Sequence, residues 1–81
     1  MALLPLTALF DGDVLELLIP VDDEDSVESV GLQIAHHVVG RRVARRDALI
    51  RLRHNGTTLD PSIGIGAAGV GPLDHVEAFY E

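Results

Sequence analysis

Apolar residues alternate along the start of the chain, with Leu4, Leu6, Ala8 and Phe10 on one side and Pro5, Thr7 and Leu9 on the other. A period of two is that of a strand with one buried face. Asp11-Gly12-Asp13 then supplies turn chemistry, because glycine tolerates positive φ and aspartate bonds nearby backbone. The alternation resumes with Leu15, Leu17, Ile19 and Val21 against Val14, Glu16, Leu18 and Pro20. The two runs predict an antiparallel hairpin, with Pro20 near its end, where a missing N–H is tolerated.

After the acidic stretch from Asp22 to Asp25 the period changes. Val27, Val30, Ile34 and Val38 recur at three and four, which is helical spacing. The pattern predicts an amphipathic helix from Ser26 to about Val39, about 21 Å long at 1.5 Å per residue. Asp25 with Glu28 three positions on fits a capping box at its start. Acids sit at the positive end of the helix dipole, Arg41 and Arg42 lie just past the negative end, and Gly40 is a suitable stop.

From Ala48 to His54, Ile50 and Leu52 face one way and Leu49, Arg51 and Arg53 the other. Asn55-Gly56 between this run and Thr57-Thr58-Leu59 is a strong hairpin signal. Asp60-Pro61 ends the short strand, Ile63 to Gly71 is a glycine-rich loop with a short helical turn, and Pro72 to His75 leads into a last strand, Val76 to Tyr80. One helix on a mixed sheet of about five strands lets so short a chain bury both a helical stripe and a sheet face. With the first and last strands paired in parallel at the centre, the expected fold is α+β of the β-grasp kind. Residues 1–81 form one domain, without repeat or linker.

Composition narrows the chemistry. A chain of 81 residues has room for one small core, and with no cysteine it has no disulfide, thiolate metal site or thiol nucleophile. Met1 to Phe10 has neither the charge nor the cleavage site of a signal peptide, and no apolar run approaches the ~20 residues a membrane span needs. The expected compartment is the cytoplasm, with no membrane contact. The six cations are all arginines, between Arg41 and Arg53. With Asp47 that window carries +5, and the other twelve acids leave −12 on the rest of the chain. So acidic a body disfavours nucleic acid, which requires a broad cationic surface.

No catalytic set emerges. His36 and His37 are adjacent on the helix and point about 100° apart, and neither has the i, i+4 partner of a helical zinc site. His54 and His75 are distant in sequence. Asp22, Asp23 and Asp25 lack the alternating ligands and glycine of a calcium loop and suit a helix N-terminus. The Gly64-Ile65-Gly66 segment lacks the Lys-Ser/Thr of a phosphate loop, and neither Ser29 nor Ser62 stands in a nucleophile elbow. What remains is arginine without lysine, at Arg41, Arg42, Arg45 and Arg46, with Arg51 and Arg53 following. The guanidinium fork matches carboxylates in two-pronged geometry and keeps its charge when partly desolvated, which suits a protein-docking surface.

The stretch from Arg51 to Asp60 and the terminal His75-Val76-Glu77-Ala78-Phe79-Tyr80 are similar to the second half of ubiquitin-like domains. More specifically, Val21-Asp22, Asp25-Ser26, Val30, Ile34-Ala35-His36-His37, Arg41-Arg42-Val43-Ala44 and Arg46 resemble the small (gamma, or B) subunit of the toluene, alkene and isoprene monooxygenase hydroxylases. The likeness spans essentially the whole chain, although the glycine-rich loop and the apolar Ala2 to Leu6 depart from the family pattern. It implies a non-catalytic subunit, with no cofactor of its own, docked on a large subunit that holds the di-iron centre. The implied hydroxylase has two copies each of three chains and oxidises small aromatic or alkene hydrocarbons with dioxygen and NADH-derived electrons, supplied through partner proteins.

Two rivals share the size and fold. A ubiquitin-like modifier requires a flexible Gly-Gly tail, whereas the sequence here runs Ala78-Phe79-Tyr80-Glu81 within a strand pattern. The alternative is a ubiquitin-like accessory protein of bacterial secretion systems, which lacks the arginine element. A lone enzyme is the third class, and no convergent polar set supports it.

Overall fold

The computed structural model describes residues 2–40 and 43–81. Strand β1 (Leu3–Phe10) pairs antiparallel with β2 (Leu17–Asp22), helix α1 (Val27–Val38) crosses one face, β3 (Ile50–His54) pairs with the two-residue β4 (Thr57–Thr58), and β5 (His75–Tyr80) closes the sheet. The sheet order is β2-β1-β5-β3-β4. Thr7 stands in register with His75 in a parallel β1–β5 pair, and Leu52 faces Ala78 in an antiparallel β3–β5 pair. This is the expected β-grasp.

The core lies between α1 and one sheet face. Leu6, Ala8, Phe10, Val76, Ala78 and Leu52 come from the strands, and Val27, Val30, Ile34 and Val38 from the helical stripe. Period two and period 3.6 thus meet in one layer. Gly31 permits the close crossing of α1 over β3, since a Cβ there would stand 3.3 Å from Ile50 Cγ2.

Four details differ from the sequence reading. Val14 to Glu16 do not extend β2: Asp13 Oδ1 accepts from the N–H groups of Val14 and Leu15, at 2.8 and 3.4 Å, and prolongs the turn. The helix cap is Ser26, whose Oγ accepts from Ser29 N–H at 3.1 Å. Asp25 instead turns its carboxylate to Asp22 N–H and to the Gln33 amide, at 3.1 and 3.2 Å. Ala48 and Leu49 stay outside β3, although Leu49 C=O still accepts from Glu81 N–H.

The fourth concerns the glycine-rich segment, which has its expected short helical turn, with Ala68 N–H donating to Gly64 C=O at 2.9 Å, but is tied to the start of α1 rather than serving as a plain connection. Ile65 N–H donates to Asp25 C=O at 2.7 Å and Gly66 N–H to Asp23 C=O at 3.0 Å, which carries Ile65 into full burial. A Cβ on Gly66 would stand 3.0 Å from Asp23 O, and a backbone atom cannot swing away. Gly66→Ala is therefore expected to destabilise the domain by about 1–3 kcal/mol in urea titration. Gly69→Ala would be strained by its positive φ alone, with no atom within 4 Å of the added methyl.

Two exposed carboxylates report on the same loops. The Ala2 N–H holds the Asp23 carboxyl below its ordinary 3.8, and the Ser62 backbone N–H, then its hydroxyl, lower that of Asp60. A folded-state value below the unfolded one contributes stability above about pH 4 that is lost as pH falls through the folded value. Asp60→Asn is expected to flatten the acid limb of the stability curve. An unchanged limb would place the acid sensitivity elsewhere.

Candidate partner-docking surface

The arginine window divides in space. Arg51 and Arg53 project from β3 onto the sheet face away from α1, where register sets them opposite Phe79 and Glu77. Arg51 Nε donates to Glu81 Oε1 at 3.0 Å, while Arg53 pairs with Glu77 at 3.5 Å and lies over the Phe79 ring at 4.7 Å. Both already have acceptors within the chain. Such half-exposed pairs are worth under about 1 kcal/mol each.

Arg45 and Arg46 lie on the exposed connector 43–49. Among the described residues, neither has a carboxylate within ion-pair distance. The Arg46 guanidinium sits 5.6 Å from the Tyr80 ring centroid, and Tyr80 meets Phe10 edge-on at 5.3 Å, so this arginine is oriented from the core outward. Arg41 and Arg42 lie outside the described residues.

Connector and helix enclose a groove of about 310 Å³, floored by Ala35, Val39, Ile50 and Tyr80 and flanked by Leu32, His36, Arg45 and Arg46. Leu32 is 56% exposed at its edge, and Leu49, 61% exposed, lines the adjoining hollow with Leu32, Ala48, Ile50, Arg51 and Glu28. The sequence reading did not single out these two leucines. For Leu32 the signal was present: it stands about 200° around the helix from the buried Val30.

The remaining candidates do not converge. His36 and His37 are exposed, with ring centroids 5.6 Å apart. His54 Nε2 lies 3.2 Å from Asp74 Oδ2, which also accepts from Gly71 N–H. His75 Nδ1 lies 3.0 Å from Glu16 Oε2 and 3.1 Å from Thr7 Oγ1, and so pins the β1–β2 turn to β5. Asp22, Asp23 and Glu24 bring carboxylate oxygens within 4.8 Å of one another, but Asp22 accepts from Glu24 N–H in a local turn and Asp23 from Ala2 N–H at the open end of the β1–β2 hairpin. No described helix is long and apolar enough to cross a membrane.

Over residues 3–80 the chain matches the family described as toluene-4-monooxygenase system protein B. It is 36% identical over 83 residues to the toluene-4-monooxygenase hydroxylase component subunit gamma of Ectopseudomonas mendocina, covering 100% of this chain and 99% of that protein. Its fold superposes, with TM-score 0.93 and 30% identity, on a chain of a toluene 4-monooxygenase complex with the inhibitor 4-bromobenzoate, covering 99% of this chain and 100% of that one. Caldiarchaeum subterraneum ubiquitin, 16% identical, shares the fold at TM-score 0.77 over 99% of this chain and 95% of its own. The match along nearly its whole length, on a shared β-grasp fold, makes this chain a member of the toluene-4-monooxygenase system protein B family.

Proposed function

We propose that this chain is a non-catalytic structural subunit of a multicomponent monooxygenase hydroxylase acting on small aromatic or alkene hydrocarbons. In this reading it docks on the large subunit, which carries the di-iron centre, within an assembly that also holds a second hydroxylase subunit and has two copies of each chain. Dioxygen and NADH-derived electrons reach the large subunit through the other components, in the cytoplasm. The observation that carries the reading is the end-to-end match to a hydroxylase gamma subunit. It favours this reading over the secretion-system alternative, which shares only the fold.

The structure supports the non-catalytic part through what its polar groups do. His54, His75, Asp60 and Asp74 are each engaged in joining turns to strands or in local turns, and Arg45 and Arg46 are exposed. Co-expression with a large hydroxylase subunit tests the proposal. The chain is expected to co-purify with the large subunit in equal amount, with iron in the complex and none retained by the isolated chain. Stoichiometric iron in the isolated chain, or no co-purification, would overturn it.

A further inference from the structure

We infer that the groove between α1 and the connector 43–49 is the seat of a segment of the large hydroxylase subunit that presents an apolar side chain flanked by carboxylates. The inference rests on the proposed role as a hydroxylase subunit and assigns that role to one face. Three observations select the face.

The first is charge. The groove is bordered by Arg45, Arg46 and His36, and none of its lining residues is acidic, although the chain as a whole carries −7. The nearest acids are Asp47, exposed on the connector, and Glu28, which lines the adjoining hollow. Arg51 and Arg53 are occupied by Glu81 and Glu77, so among the described arginines the docking chemistry narrows to Arg45 and Arg46. A surface of this sign, set on an acidic body, favours an acidic partner here over the rest of the described surface.

The second is apolar exposure. Leu32 stands out of the protein at the groove margin, Leu49 stands out in the adjoining hollow that shares Leu32, Ala48 and Ile50 with it, and the groove floor continues through Ile50 and Tyr80 into the core. An apolar centre with a charged rim is the arrangement of a protein interface. The lining offers no convergent set of polar groups to fix a small ligand.

The third is orientation. The Tyr80 ring holds the Arg46 guanidinium beside the groove, so little side-chain freedom is lost when a carboxylate meets it. The far sheet face is also partly apolar, with Leu3 and Leu18 exposed, but it presents no arginine without an acceptor among the described residues.

The test is retention of this chain by the co-expressed large subunit at low and high salt. Arg45→Glu with Arg46→Glu, and separately Leu49→Glu, are expected to reduce retention more than about tenfold. Arg51→Ala, Arg53→Ala and Leu18→Glu are expected to stay within about twofold. Thermal melts of the free variants separate lost binding from lost folding, and Arg45→Lys with Arg46→Lys keeps the charge while removing the two-pronged geometry. If the groove variants are retained like the parent, or Leu18→Glu alone abolishes retention, the groove assignment falls and the subunit role stands. If the parent chain itself is not retained, both fall.

Discussion

Phe10→Ala is expected to leave the free chain largely unfolded at 37 °C. Phe10 ends β1 fully buried, touches Tyr80 edge-on, and sits where β1, β5 and the helix layer meet. Truncating such a ring removes about 3–5 kcal/mol, the transfer energy plus the cavity left behind. A domain this short stands near the low end of the ~5–15 kcal/mol that holds folded proteins together. Urea titration and near-ultraviolet dichroism at 15 and 37 °C measure the effect. Leu18→Ala, on an exposed position of the same sheet, is the control and is expected to change stability by under about 0.5 kcal/mol. A loss below about 1 kcal/mol for Phe10→Ala would mean that the neighbouring side chains collapse into the space.

The second large effect is the rise in stability on assembly. A partner that binds only the folded chain stabilises it by about 2.7 kcal/mol when present at a hundred times its dissociation constant. For a domain of this size that moves the melting midpoint by roughly 10–20 °C. Calorimetry of the free chain and of the purified hydroxylase is expected to show this separation, growing with partner concentration. Coincident midpoints at every concentration would mean that the small core suffices alone. The complex is expected to rescue part of the Phe10→Ala defect by the same coupling.

Elements whose geometry is set by neighbours in sequence were legible. Asn55-Gly56 announced its turn because both residues adopt positive φ, 52° and 79°, as the dipeptide favours. The Val27, Val30, Ile34 and Val38 stripe announced α1, and Gly40, at φ 81°, its stop. Where a side chain competes with the ladder, periodicity misled. Val14 to Glu16 continue the alternation perfectly well, yet Asp13 captures two of their N–H groups and Val14 ends 90% exposed. Distant backbone partners left no local signal. Nothing around Ile65 states that Asp25 C=O will receive its N–H. The same limit applied to the arginines: composition marked all six, but only the β3–β5 register sorts Arg51 and Arg53, held by internal acids, from Arg45 and Arg46 at the groove.

The position of β5 has a consequence for biosynthesis. The last strand of the sequence lies between β1 and β3, so within the sheet the two hairpins share no direct ladder and are joined through it. A nascent chain emerging from the ribosome can form β1–β2, α1 and β3–β4 as separate pieces, but their common layer waits for Val76 and Ala78. Thr7 must find His75 across nearly the full chain, the long-range pairing that slows folding. Until then the apolar sides of both hairpins are uncovered, which opens an interval for aggregation or chaperone capture. A chain stopped before β5 is therefore expected to stay soluble only when captured.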